Sequence, residues 1–247
     1  MQHEKWREND SKLLTVAWFS TGASSAVAIK LAIDSVDRII YNHIPDQHHD
    51  SMRFLHDCEK WFGREIEILH APFDVNTACK KSGFVNGPYG ANCTVTLKKK
   101  VRAEWEKKHE DFHLRYVWGL DAGEVARVAR IEKAMPAQEH VFPLINRGMT
   151  KSAAHKVLKA SGVKRPEMYT LGYSNNNCIG CVKGGKGYWN HIRIDFPEVF
   201  KARAKMEREV GASCLNGIYL DELHPDCGRH APPVVGDCGI LCELMAI

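Results

Sequence analysis

Nine cysteines and one run of small residues are where this sequence could do chemistry. Cys178 and Cys181 stand in a Cys-x-x-Cys spacing, a turn that presents two thiolates to one ion, and two of Cys227, Cys238 and Cys242 could complete a tetrahedral set around it. Zinc and an iron–sulfur cluster both answer to that spacing, and so do catalytic or redox thiols and simple burial. An odd number of cysteines behind a polar opening stretch argues against a disulfide framework. Cys58, on the apolar face of a helical pattern, reads as core, whereas Cys79 and Cys214 carry no assignment.

The small residues are Ser20, Thr21, Gly22, Ala23, Ser24 and Ser25. An apolar run, 14–19, precedes them and a helical pattern with Val27, Ile29, Ile33 and Val36 follows, so the order is strand, tight loop, helix. Small side chains let a ligand reach the backbone, and the free N–H groups at the start of the helix favour an anion such as phosphate. The loop lacks the Gly-Lys-Ser/Thr of a Walker A sequence, and an ordinary strand–helix turn has the same composition.

The elements that would position these groups follow in order. Residues 38–41 read as a second strand ending in Asn42, His43, Ile44, Pro45 and Asp46; Met52, Leu55, Cys58 and Phe62 space a helix stopped by Gly63; residues 65–69 alternate as a third strand. Alternation of strand and helix predicts an α/β, doubly wound, mostly parallel sheet with helices on both faces. Ligands in such sheets lie beyond the carboxyl ends of the strands, which makes 20–25 and 43–46, Asp46 included, candidates for one site. His43, His48 and His49 read as a solvated histidine-rich loop.

Residues 73–96 look like a long substrate-contacting loop, after which Leu97, Val101 and Trp105 share a helix face and Lys98, Lys99, Lys100 and Arg102 crowd its first turn. Cations there oppose the helix dipole, so an anion nearby would relieve the conflict; for Lys99 and Lys100 a solvated face is the simpler reading. A fourth strand is expected at 114–120, a polar strand end at 121–124, a short strand at 140–144, a helix capped by Thr150 and stopped by Gly162, and a helix from Pro197 to the stop at Gly211. Arg127 and Arg130, three apart, suit phosphates or open solvent equally. Residues 169–187 read as irregular and the last 36 residues as loop-like. The expected division is a nucleotide-binding unit at 1–165 and a cysteine-bearing C-terminal extension at 166–247.

A formal charge of +4 permits a nucleotide or nucleic-acid partner without demanding one. The opening residues are polar and no apolar run approaches bilayer length, so a soluble, cytoplasmic protein is expected.

Four blocks, in order, resemble the PP-loop ATP pyrophosphatase (adenine nucleotide α-hydrolase) superfamily, within it the phosphoadenosine phosphosulfate (PAPS) reductase-like branch that includes many phage and mobile-element proteins. Phe19-Ser-Thr-Gly-Ala-Ser-Ser25 is similar to the Ser-Gly-Gly-x-Asp-Ser loop; Cys93-Thr-Val-Thr-Leu-Lys98 to a Cys-Thr-x-x-Leu-Lys block; Gly119-Leu-Asp-Ala-Gly-Glu124, with Arg127 after it, to a Gly-x-Arg-x-x-Glu-Ser block; and Cys178-Ile-Gly-Cys181 to a Gly-Cys-x-x-Cys turn. Ser24 stands where the loop has Asp, and Asp121 where the third block has Arg. Asp237-Cys238-Gly-Ile-Leu241 resembles a Glu-Cys-Gly-Leu-His tail, with Leu241 in place of His and Cys242 without a counterpart.

The resemblance implies a Rossmann-like nucleotide fold that holds ATP or PAPS, with Mg²⁺ as companion ion. Ser20, Thr21, Gly22, Ser24, Ser25, Asp46, Gly119 and Arg127 would bind the nucleotide, and Cys238, Lys98 and Cys93 would be catalytic. A 4Fe–4S cluster is implied ahead of zinc for Cys178, Cys181, Cys238, Cys242 and Cys227. The implied chemistries are ATP α–β cleavage for sulfur transfer or for nucleic-acid or nucleotide modification, and PAPS reduction with release of sulfite; a silent nucleotide-binding regulator is the third reading. Implied partners are a nucleic-acid acceptor, a thioredoxin-like or sulfur-donor protein, and a second copy in an oligomer, with no membrane.

Overall fold

The structure, a computed structural model, describes residues 12–87 and 90–228. In chain order its elements are β1 (Lys12–Phe19), α1 (Ala23–Ala32), β2 (Arg38–His43), α2 (Asp50–Phe62), β3 (Glu67–His70), α3 (Val75–Ser82), β4 (Asn86–Gly87), β5 (Gly90–Ala91), α4 (Asn92–Thr94), α5 (Lys100–Lys107), β6 (Phe112–Val117), α6 (Val128–Ala134), β7 (Glu139–Val141), α7 (Lys151–Ser161), α8 (Glu167–Thr170), α9 (Lys186–Asp195) and α10 (Pro197–Val210). A π-helical segment, Val95–Lys99, joins α4 to α5.

Five strands form one sheet in the order β3-β2-β1-β6-β7, every neighbouring pair parallel. The chain winds outward from β1 in one direction, then returns to β6 on its other side, which makes the fold a doubly wound α/β sheet with its switch point between β1 and β6. The pleat sorts the core. Ala17, Phe19, Ile39, Tyr41 and Val117 face one side with α1, α2 and α7, while Leu14, Val16, Ile40, Leu114 and Tyr116 face the other with Trp105 and Ile131. Because β1 is covered on both faces, its sequence is a nearly continuous apolar run.

A third cluster joins Ile44, Val75, Cys79 and Leu97 to Cys178, Cys181, Trp189, Phe200 and Cys214, so residues before and after 165 share one core. Among the described residues no helix is long and apolar enough to cross a membrane.

The expected helix ends hold. Thr150 accepts the N–H of Ala153, Gly162 and Gly211 adopt the left-handed conformation after α7 and α10, and Gly63 does so after α2. The stretch 73–96 is not one long loop: Asp74 accepts from Thr77 N–H to start α3, and Gly83 ends it. The next helix begins at Asn92, so Lys98, Lys99 and Lys100 lie beyond its first turn and do not oppose its dipole. Strand β6 starts two residues earlier than 114, where Phe112 pairs with Lys12, and the sheet ladder ends at Val117. Residues 169–187 are largely irregular, but α9 then begins at Lys186.

Candidate functional site

The crevice between the ends of β1 and β6 is built by contact of the two predicted segments. A Cβ placed on Gly119 would lie 2.6 Å from the Ser25 Cα, so the chain leaving β6 passes directly against the first turn of α1. Gly22 is the N-cap residue of that helix. Thr21 sits at φ +56, the one non-glycine with positive φ among the described residues, a conformation that is costly for a β-branched side chain. What holds it is Asn176, whose Nδ2 donates to Thr21 O at 2.9 Å and reaches Ser51 Oγ at 3.0 Å. Ser25 Oγ accepts from Ser20 Oγ at 2.9 Å and donates to Gly22 O at 3.0 Å. The Ala23 N–H donates to Tyr169 Oη at 3.2 Å. Ser24 and Ser25 are buried, and among the described residues no hydrogen bond takes their first-turn N–H groups.

Asp121, where the resembled block has Arg, caps the short helical turn Ala122–Arg127: its carboxylate accepts from Gly123 N–H at 2.9 Å, and Glu124 accepts the Asp121 N–H in return. Arg127 is only 5% exposed; it pairs with Glu124 through Nη1, while Nε and Nη2 are buried without a partner. Arg130 is exposed, so of these two arginines the structure buries one.

The thiols gather beside this crevice, beyond the end of β2. Cys93, Cys178 and Cys181 line one narrow cleft with Lys98, against Ile44, Leu97 and Val182. Cys178 and Cys181 are 6% and 4% exposed. Their turn is docked by a bridge between Gln47 and Cys178 and by the Ile179 N–H on Asp46 O at 2.8 Å. Tyr188 Oη accepts the Cys181 N–H at 2.8 Å, and Gly180, at φ +67, makes the turn under Val199. Burial pushes the Tyr41 phenol well above its ordinary range; Cys178 adds to the rise and Lys98 opposes it.

Asp46 is committed elsewhere. One carboxylate oxygen takes Arg203 Nη2 at 2.9 Å and the other the Val75 N–H at 2.8 Å, while Arg203 also reaches Gly180 O at 3.1 Å. Cys227 is exposed, its carbonyl held by Asn190 at 2.7 Å. Cys238 and Cys242 lie outside the described residues, and no disulfide joins the described cysteines. Cys58, Cys79 and Cys214 are core; burial pushes the Cys79 thiol up to about 11, and the other two higher still.

Tyr169, Asn176, Tyr188 and Arg203 were not singled out by the sequence. One signal existed for the last: Phe200, Arg203, Ala204 and Glu207 share the buried face of α10, where an arginine demands a partner.

The histidine loop is not simply solvated. His48 is 5% exposed, its ring against Phe196, and with His49 and Glu167 it forms the group of three metal-capable side chains found among the described residues, donor atoms within 4.8 Å of one another. Burial, and then the neighbouring His70 and His49 respectively, lower the pKa of His43 and His48 below 6.5. The unfolded chain therefore takes protons that the folded chain resists, and stability falls as pH drops through that value. Melting temperature is expected to decline from pH 7 to pH 5, and a His43→Gln/His48→Gln variant to decline less; equal slopes would count against this assignment.

No family model matches the chain, and no curated protein matches it. Among solved structures it is similar to a phosphoadenylyl-sulfate (PAPS) reductase from Candida auris in its phosphate complex, with a TM-score of 0.46 and 12% identity, over 68% of this chain and 81% of that one.

Proposed function

We propose that the chain is an adenine-nucleotide-dependent enzyme that binds ATP phosphates in the crevice between β1 and β6 and activates an acceptor for sulfur transfer. The observation that carries the reading is Arg127, a buried guanidinium with Nε and Nη2 unpartnered on the turn that follows β6. A buried charge paired on one side only is costly, and an anion would satisfy the rest. The α1 dipole and the N–H groups of Ser24 and Ser25 add donors at the facing loop.

In this reaction an acceptor oxygen attacks the α phosphorus, the bond to the β phosphate's bridging oxygen breaks and pyrophosphate leaves; a sulfur nucleophile then displaces AMP. Arg127 and the helix start would meet the charge that develops on the leaving group, and Lys98 would carry the cation toward the thiol cleft. Ser24 supplies no carboxylate for a metal, so Mg²⁺ would travel with the nucleotide. Cys93, Cys178 and Cys181, which share the cleft with Lys98, would lie on the acceptor side.

The Cys178–Cys181 turn, docked and buried, fits half of a thiolate metal site. With Cys238 and Cys242 it would hold an iron–sulfur cluster, or zinc, which supplies electrons in the first case and a structural clip in the second. PAPS reduction by Cys238 is the competing chemistry.

The test is the Arg127→Met variant. Nucleotide affinity measured by calorimetry is expected to fall at least tenfold, about 1.4 kcal/mol, while the melting temperature without nucleotide stays near the native value, because a half-paired buried charge has been removed and the Glu124 carboxylate left behind is 18% exposed and still accepts the Asp121 N–H. Unchanged affinity sinks the phosphate assignment. In the native protein, pyrophosphate formed from ATP supports the proposed reaction; sulfite from PAPS replaces it with reduction, and neither product leaves a binding protein.

A further inference from the structure

Behind α1 runs a basic groove that the proposed nucleotide chemistry does not use. It has a volume of about 610 Å³ and lies along α7 and the chain that follows it. Lys156 and Lys159 line it from adjacent positions on α7, Lys164 and Arg165 from beyond the left-handed turn at Gly162, and Ser152 and His155 from nearer the helix start. The four cations are exposed, and among the described residues their side chains make no ion pair or hydrogen bond. No carboxylate lines the groove. Asp50 and Asp57 are bound by Arg53, which also donates to Lys164 O at 2.9 Å and Arg165 O at 3.2 Å and so fixes the groove's far wall; Glu167, two residues after Arg165, is an exposed acid outside the lining.

The groove is one side chain away from the nucleotide loop. The His155 ring stands edge-on to Tyr169 at 4.6 Å, and Tyr169 Oη takes the Ala23 N–H at the start of α1. Lys151, at the first position of α7, bonds Asn175, whose neighbour Asn176 holds Thr21 in its left-handed conformation. Unpaired cations along both walls of a recess fit a chain of phosphates. No Phe, Tyr or Trp lines it, so no base would stack there and sequence would not be read.

We propose that this groove binds the sugar–phosphate backbone of a nucleic-acid strand, the acceptor that the crevice activates. Backbone binding stands on the groove alone; the acceptor role rests on the nucleotide reading.

The test is anisotropy of fluorescein-labelled oligonucleotides, single-stranded DNA, RNA and duplex in separate arms, against the full chain at rising salt. Four phosphate contacts predict a slope of log affinity on log salt of about −3, a loss of about 50- to 150-fold between about 50 and 200 mM. Binding is expected to be indifferent to base sequence. The Lys156→Glu/Lys159→Glu/Lys164→Glu variant should bind at least tenfold more weakly with a slope nearer −1, and the corresponding glutamine variant should behave alike, with melting temperature and ATP affinity at native values. Arg127→Met should keep oligonucleotide binding, which separates failure of the groove from failure of the crevice. The proposal is overturned by no oligonucleotide binding at low salt, by charge-reversed variants that bind as the native chain does, or by binding to anionic lipid vesicles or phosphopeptides in place of oligonucleotides.

Discussion

Arg203→Ala is expected to destabilise the protein by about 3–5 kcal/mol, because it removes one partner of a buried ion pair and leaves the other behind. The Arg203 side chain is 1% exposed and its Asp46 partner 11%. Beyond Asp46 it holds the Asn76 side chain at 2.6 Å and the Gly180 carbonyl at 3.1 Å, so its loss strands acceptors in three segments that share one core. The Gly180 carbonyl lies inside the Cys178–Cys181 turn, and the thiol cleft should loosen with it. Two measurements check this: urea unfolding for the free energy, and the alkylation rate of Cys178 and Cys181, which should rise. Arg203→Lys should recover only part of the loss, since one ammonium cannot reproduce the planar fork. An Arg203→Met/Asp46→Asn pair should cost less than Arg203→Ala, because neither charge is then left alone. A stability within 1 kcal/mol of native for the alanine variant would contradict the clamp.

Gly119→Ala is expected to cost about 1–3 kcal/mol and to lower nucleotide affinity by more than tenfold. The added carbon would meet Ser25 at Cα, Cβ and N, at 2.6, 2.8 and 2.9 Å. Two of those atoms are backbone and cannot rotate away, so the first turn of α1 and the exit of β6 must separate. That separation moves the N–H groups of Ser24 and Ser25 relative to Arg127. Melting temperature and nucleotide calorimetry on the same variant check both halves. Native affinity in a folded Gly119→Ala protein would remove Gly119 and Ser25 from the site.

Together with Arg127, these positions divide the labour in the fold. Arg203 belongs to the architecture of the thiol turn, Gly119 to the fit of two strand ends, and Arg127 to the ligand. Their signatures differ accordingly: loss of stability alone, loss of both, and loss of affinity alone.

The helix ends were legible because each depends on a few consecutive residues. Thr150 with Ala153, Gly63, Gly162, and Pro197 with Gly211 act through hydrogen bonds and backbone angles within one turn. The alternation of strands and helices was legible for the same reason, since hydrophobic periodicity is a local property, and with it the parallel sheet and the loop at 20–25. The helix at Val75–Ser82 was hidden by a thin apolar pattern amid Lys80 and Lys81, although its Asp74 and Gly83 ends were in plain sight.

Partnership was not legible. Asp46 follows a strand and reads as a ligand group, yet its carboxylate is taken by an arginine 157 positions away. Asp121 reads as a lost phosphate-binding cation, and in the fold it is a helix cap. His48 reads as solvated, but packing against Phe196 buries it. The sequence by itself determined the repertoire: a doubly wound α/β fold, a small-residue loop before a helix, a Cys-x-x-Cys turn, and cations in reach of an anion. Only the tertiary structure decided which of those groups are already satisfied. A charge or donor is spent or available according to what burial brings within about 3 Å of it, and that distance is set by residues far apart in the chain.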